Sequence, residues 1–128
     1  MKPSDSELRR ILLASKCIAI VGLSPNETRP SYFVGRYLKL KGYRIVPVNP
    51  GHAGKEILGA QVYGTLGDIP ADIPVDMVDI FRHSDQVPAI VDEALIHLPA
   101  LRTVWMQIGV EHAEAAAVAT ERGLDVVQ

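Results

Sequence analysis

A single cysteine, Cys17, stands among the 128 residues. One thiol cannot close an internal disulfide, so the expected compartment is the reducing cytoplasm. Aromatics make up only 5% of the chain, too few for a platform that stacks single-stranded bases. Positive charge is not in excess either. The formal net charge is -2 at pH 7, which leaves no basic footprint for nucleic acid and no polybasic segment for an anionic membrane. No apolar run is long enough to span a bilayer, and the polar start Met1-Lys2-Pro3-Ser4-Asp5-Ser6-Glu7 lacks the apolar region of a secretion signal. The dinucleotide fingerprint Gly-x-Gly-x-x-Gly is missing, and so is the Walker A pattern.

What is present is a hydrophobic fraction of 48%, enough for a real core, in a length that suits one domain over residues 1–128. Short apolar runs at Cys17–Val21, Arg44–Val48, Gln61–Tyr63, Val75–Phe81, Thr103–Ile108 and Leu124–Val127 read as strands. Helical patterns alternate with them. Ser4 and Glu7 form a capping box ahead of Leu8, Ile11 and Leu12. Ser31 is placed to cap a helix that runs to Lys41, with Gly42 as the glycine that ends it. Ser84 is placed to cap a helix carrying Val87, Ile90, Val91, Ala94, Leu95 and Leu98. Glu111–Arg122 is an alanine-rich helix with its acids first. Pro47 removes a ladder donor, so its strand belongs at an edge, or Pro47 in that strand's last turn.

Strands alternating with helices predict an α/β fold: a Rossmann-like, doubly wound, mainly parallel sheet of five or six strands with helices on both faces. Ligands of such sheets sit beyond the carboxyl ends of the strands, at the switch point beside the first strand. There the chain reads Gly22-Leu23-Ser24-Pro25-Asn26-Glu27-Thr28-Arg29-Pro30-Ser31. A strand, a glycine turn and a helix N-terminus form a layout that binds phosphate, because free N–H groups and the helix dipole converge on one spot. Arg29 adds a forked cation suited to phosphate. The acid that would hold the ribose of NAD at the end of the second strand is replaced by Asn49, followed by Pro50.

No nucleophile and base form a catalytic set. Cys17 begins a buried strand at the end opposite the expected site. His52, His83, His97 and His112 lack metal-ligand spacing. Asp76 and Asp79 are an odd number of residues apart, so they face opposite sides of the sheet, and Asp79 reads as a hydrogen-bonded structural carboxylate.

Several segments together carry a family resemblance: Ile18-Ala-Ile-Val-Gly-Leu-Ser-Pro-Asn, Arg29-Pro-Ser-Tyr, Gly42-Tyr-Arg-Ile-Val-Pro-Val-Asn-Pro, Glu56-Ile-Leu-Gly, Asp79-Ile-Phe-Arg and Trp105-Met-Gln-Ile-Gly-Val. From about Cys17 to Val127 the chain resembles the small stand-alone coenzyme A-binding domain proteins of bacteria. These are similar to the first domain of the succinyl-coenzyme A synthetase α subunit. The resemblance implies a non-catalytic module that holds coenzyme A, or an acyl-coenzyme A, through its adenosine and phosphate portion. It implies that Gly22, Leu23, Ser24, Arg29, Ser31 and Tyr32 line the phosphate and adenosine end. Val48, Asn49 and Pro50 would close over the nucleotide. Phe81 and Arg82 would stand beside it, as would Gln107 and Gly109. Lys55 is a further candidate cation for phosphate, outside any motif match. Family members often continue past the last strand with a short tail bearing cysteine, arginine and lysine, whereas this sequence stops at Gln128. Two other classes remain open at this point: a small enzyme using NAD(P) or an acyl-coenzyme A, and a nucleotide-sensing regulatory domain with a protein partner.

Overall fold

The whole of Cys17-Ile18-Ala19-Ile20-Val21 is buried, as a strand covered on both faces must be. The computed structural model describes residues 3–128, so Met1 and Lys2 of the polar start lie outside the described residues. Along the chain come α1 (Asp5–Ala14), β1 (Cys17–Val21), α2 (Pro30–Leu40), β2 (Arg44–Val48), β3 (Glu56–Ile57), β4 (Ala60–Gln61), β5 (Met77–Ile80), α3 (Val87–His97), β6 (Thr103–Met106), α4 (Ala113–Glu121) and β7 (Asp125–Val127). Five strands form one parallel sheet in the order β2-β1-β5-β6-β7. Beyond β2, Tyr63 makes an isolated parallel bridge to Val48. A Rossmann order is therefore present with its outermost strand cut to one residue pair.

The expected strand Gln61–Tyr63 is thus corrected. Leu58 and Gly59 both adopt positive φ, at 53° and 76°, and turn the chain sharply. That turn pairs Glu56 with Gln61 and Ile57 with Ala60 in an antiparallel hairpin, which leaves only Tyr63 for the main sheet. Pro47 lies on the edge strand, as its missing donor requires. Its carbonyl accepts from the Tyr63 N–H at 3.0 Å on the outer side, away from β1.

Alternation of side chains splits the core into two layers. Ala19, Val21, Val46, Val78, Ile80 and Val104 pack with Val87, Val91 and Ala94 of α3 and with Ala115 and Ala119 of α4. Ile18, Ile20, Ile45 and Met77 pack on the other face with Ile11 of α1 and Leu38 of α2. Helix α2 comes close because Gly35 has no side chain: a Cβ there would lie 3.1 Å from both Leu23 Cδ1 and Leu58 Cδ1. Asp76 lies just ahead of β5, and Asp79 lies within it. The Asp76 carboxylate accepts from the N–H groups of Lys16 and Cys17, at 2.9 and 3.1 Å, and so fixes the start of β1.

Several expected boundaries and caps shift. Ser4 caps α1, accepting from the Glu7 N–H at 3.2 Å. Ser31 does not cap α2. The helix begins one residue earlier at Pro30, with Arg29 at the cap position, because proline suits a first turn that needs no donor. Ser84 does not cap α3 either. It opens a single turn at Ser84–Gln86, and its hydroxyl accepts from the Glu111 N–H at 3.0 Å. His112, not Glu111, opens α4, its Nδ1 accepting from the Ala115 N–H at 3.1 Å. Strand β5 spans Met77–Ile80, within Val75–Phe81, and β6 stops at Met106 instead of Ile108. No helix among the described residues is long and apolar enough to cross a membrane.

Gly22 and Gly42 provide a controlled comparison. Both have positive φ, at 91° and 96°, but a Cβ on Gly22 would lie 2.4 Å from the Phe81 carbonyl oxygen, whereas nothing lies within 4 Å at Gly42. Urea unfolding of Gly42→Ala should show a loss of about 1 kcal/mol from backbone strain alone. Gly22→Ala should lose at least about 2 kcal/mol, since strand β5 or its following loop must also move. Equal losses in the two variants would contradict the close crossing at Gly22.

Candidate functional site

The carboxyl ends of four strands are tied to one another by their backbones. The Gly22 N–H donates to the Val48 carbonyl at 2.8 Å, Phe81 N–H to Val21 at 2.8 Å, and Gln107 N–H to Ile80 at 3.2 Å. Between β1 and β5 the chain leaves the sheet in opposite directions, to α2 on one face and α3 on the other. This is the switch point at which α/β sheets open a crevice. Gly22 sits at its centre. A Cβ there would meet not only the Phe81 carbonyl but also Arg82 Nε, at 3.4 Å. The bare backbone at residue 22 admits the Phe81 carbonyl, and the Arg82 side chain that follows it lies beside the first turn.

Two clefts open on either side of that guanidinium. The larger, about 830 Å³, is walled by Val34, Phe81, Gln107, Ile108 and Val110, with His83 and Ser84 at its side. The smaller, about 340 Å³, is walled by Val21, Val48, Leu66 and Ile90, with Pro50, Thr65 and Gln86 around it. Arg82 lines both. Among the described residues the one ion pair is Arg10–Asp125 at 3.1 Å, whose residues line neither cleft, so Arg82 and Arg29 carry no carboxylate partner there. Glu93, also in the smaller cleft, is already engaged: its carboxylate accepts from the N–H groups of Leu66 and Gly67.

The loop after β1 closes part of the expected cradle of free amides and leaves the N–H groups of Leu23, Glu27 and Ser31 without a protein acceptor among the described residues. Ser24 N–H donates to the Ser31 hydroxyl at 3.0 Å, Asn26 N–H to the Ser24 hydroxyl at 3.1 Å, and Thr28 N–H to Asn26 Oδ1 at 3.0 Å. Arg29 N–H donates to the Asn26 carbonyl at 3.0 Å. Pro30, the first residue of α2, has no N–H at all. The physical reason is composition: serine and asparagine hydroxyls and amides close successive small turns on their own backbone. Asn49 is likewise engaged at both ends. Its Nδ2 donates to the Leu23 carbonyl and its Oδ1 accepts from the Gly51 N–H, each at 3.0 Å. An aspartate could not make the first of these bonds.

Of the residues singled out from the sequence, the clefts bring together Val48, Pro50, Phe81, Arg82, Gln107 and Gly109, with Gly22 beneath Arg82. Leu23 is fully buried in the core layer under α2, and Tyr32 packs against that layer. Ser24, Arg29, Ser31 and Asn49 line neither cleft, and neither does the exposed Lys55. Arg29 projects from the cap of α2, next to Pro30, which does line the larger cleft. Sequence reasoning missed Val34, Leu66, Ile90, Ile108 and Gln86. The first three look like ordinary core residues, and only Ile108, fully exposed after a strand end, carried a signal.

One ionisable group stands out. Asp79 is 2% exposed, and its single hydrogen bond is from Gln107 Nε2 at 2.6 Å. Burial pushes its carboxyl up to about 7, while the Gln107 bond pulls the other way. Burial also pushes the Cys17 thiol up, at the far end of β1, which suits an inert thiol.

A parallel sheet in this strand order, with clefts at its switch point, defines a Rossmann-like α/β domain. The chain belongs to the CoA binding domain family, whose model matches residues 16–128. It is 38% identical over 126 residues to the uncharacterized protein YneT of Bacillus subtilis (strain 168), covering 98% of this chain and 88% of YneT. It is similar to the structure of cell-free ID.343 from Thermus thermophilus, with 36% identity and a TM-score of 0.88 over 98% of this chain and 90% of that one. It shares its fold with part of an acetyl-coenzyme A synthetase of Ca. Korarchaeum cryptofilum, at 24% identity and a TM-score of 0.73, over 93% of this chain and 27% of that one.

The raised carboxyl has a consequence for stability. An unfolded Asp79 titrates near 3.8 and the folded one near about 7, so between those values the folded chain holds a proton that the unfolded chain has lost. Stability should therefore fall as pH rises from about 4 to about 7, by at most about 4 kcal/mol, and level off above. Asp79→Asn should lack that contribution, so the difference between wild type and variant should change across this window and be constant above it. Parallel stability curves from pH 4 to 8 would contradict the assignment.

Proposed function

We propose that the chain is a non-catalytic module that binds coenzyme A or an acyl-coenzyme A across the two clefts. The observation that carries this reading is Arg82, a guanidinium without a carboxylate partner among the described residues, standing between two openings at the switch point. Membership of the CoA binding domain family supports it. Coenzyme A has matching anatomy: an anionic phosphate middle with a purine on one side and a long amide arm on the other. The guanidinium forks onto phosphate oxygens. The apolar walls Val21, Val48, Leu66 and Ile90 suit the purine, and the larger cleft takes the arm. Arg29, exposed at the head of α2, adds charge at the rim.

The absence of chemistry is part of the proposal. The Ser84 hydroxyl in the larger cleft already accepts from the Glu111 N–H, and Cys17 lies at the opposite end of β1. In neither cleft does a hydrogen bond join a hydroxyl to a base among the described residues.

Calorimetric titration with coenzyme A should show saturable binding, and a hundred-fold excess over Kd should stabilise the fold by about 2.7 kcal/mol. Arg82→Ala should bind at least about ten-fold more weakly, and Arg82→Lys should recover only part of the loss because a point charge replaces a fork. No heat and no melting shift at millimolar coenzyme A would defeat the proposal. Mass spectrometry of small molecules released from protein purified without added ligand tests which acyl form is carried.

A further inference from the structure

Asp79 has no place in the binding surface just described, yet it is a carboxylate in an apolar layer with one partner. That partner, Gln107, lines the larger cleft. The contact joins the middle of β5 to the residue just past β6. A carboxylate only accepts, so the Gln107 amide must offer it the nitrogen end, as it does at 2.6 Å. The oxygen end of the same planar group is then turned from Asp79, and among the described residues no protein donor is bonded to it.

We propose that Asp79 is a positioning residue that holds the Gln107 amide so that its oxygen faces an N–H donor of the ligand in the larger cleft. This rests on the coenzyme A reading and deepens it. With the arm in the larger cleft, the donors of coenzyme A that reach Gln107 are the amides of that arm. The pairing also makes the cleft responsive to pH. Burial and the Gln107 bond are the influences on Asp79, which is pushed up to about 7. Its register neighbours Ile20 and Trp105 are neutral. Tyr32 from α2 and Tyr43 ahead of β2 are the other titratable groups in that core layer, and burial pushes the Tyr43 hydroxyl up. When Asp79 takes a proton it becomes a donor. The Gln107 oxygen then suits it better, and the amide turns over to present its NH2 group to the cleft.

The test is coenzyme A affinity by calorimetry from pH 6 to 8, in wild type and Asp79→Asn. The ligand's own phosphate titration acts equally on both proteins and cancels in the comparison, as does every cleft residue the two proteins share. Wild type should weaken about three- to ten-fold more than the variant as pH falls, the scale of one hydrogen bond. Repeating the titration with adenosine 3′,5′-bisphosphate and with pantetheine shows which half carries the donor. In parallel, the side-chain NH2 resonances of Gln107 in ligand-free protein should step near neutral pH in wild type and not in the variant. If coenzyme A binds and the two proteins give superimposable profiles, the positioning role is overturned while the binding proposal stands. If coenzyme A fails to bind but the resonance step is present, the pairing stands and the ligand reading falls. Should Asp79→Asn not fold, Gln107→Leu replaces it. Its Asp79 carboxyl carbon should titrate at higher pH than in wild type, and an unmoved midpoint overturns the pairing.

Discussion

The whole cleft region depends on one close approach, the Phe81 carbonyl against the backbone of Gly22. No Cβ fits there, and the residue's positive φ would disfavour one even in open space. The crossing lets the chain leave β5 directly over the turn that ends β1. It also places Arg82 above that turn and leaves openings to either side of the guanidinium. The backbone bonds from Gly22 to Val48 and from Phe81 to Val21 hold the crossing in register with the neighbouring strands. Rigid sheet ends thus anchor the loops that wall the larger cleft.

Burying Asp79 runs against the chemistry of such a core. A lone carboxylate in an apolar layer disfavours its charged form and costs stability above neutral pH. Its neighbours in the same row, Ile20 and Trp105, give it nothing to pair with. The one compensation is Gln107, whose amide it orients at the cleft wall. A penalty carried in the core whose only visible effect is at the cleft points to a role in the site, which is the pattern expected where local stability rules yield to function.

Much of this was legible in the chain. The β-branched runs and their alternation place β1, β2, β5 and β6, and of the two positions Pro47 allows, an edge strand or a last turn, the sheet takes the edge. What was not legible depends on contacts between distant segments. The Ser31 hydroxyl turns back to Ser24, and the Ser84 hydroxyl reaches Glu111, so both serines look like helix caps and serve as loop ties instead. The hairpin of β3 and β4 turns on Leu58, a non-glycine residue at positive φ that no pattern announces. Val34, Leu66 and Ile90 read as core because a cleft wall and a core face share one composition.

The first loop shifts the physical basis of anion binding within the same corner of the fold. An amide cradle needs N–H groups left open, as in glycine-rich phosphate loops. Here serine and asparagine side chains close the N–H groups of Ser24, Asn26 and Thr28, and Pro25 and Pro30 supply none. Those of Leu23, Glu27 and Ser31 have no protein acceptor among the described residues. A proposed anionic ligand then finds its countercharge partly on these amides and partly on side chains, and Arg82 is the cation that the fold places at the centre, beside Gly22. Glycine at 22 and arginine at 82 are linked through the chain between them: the missing side chain admits the Phe81 carbonyl, and the residue after that carbonyl is the cation of both clefts.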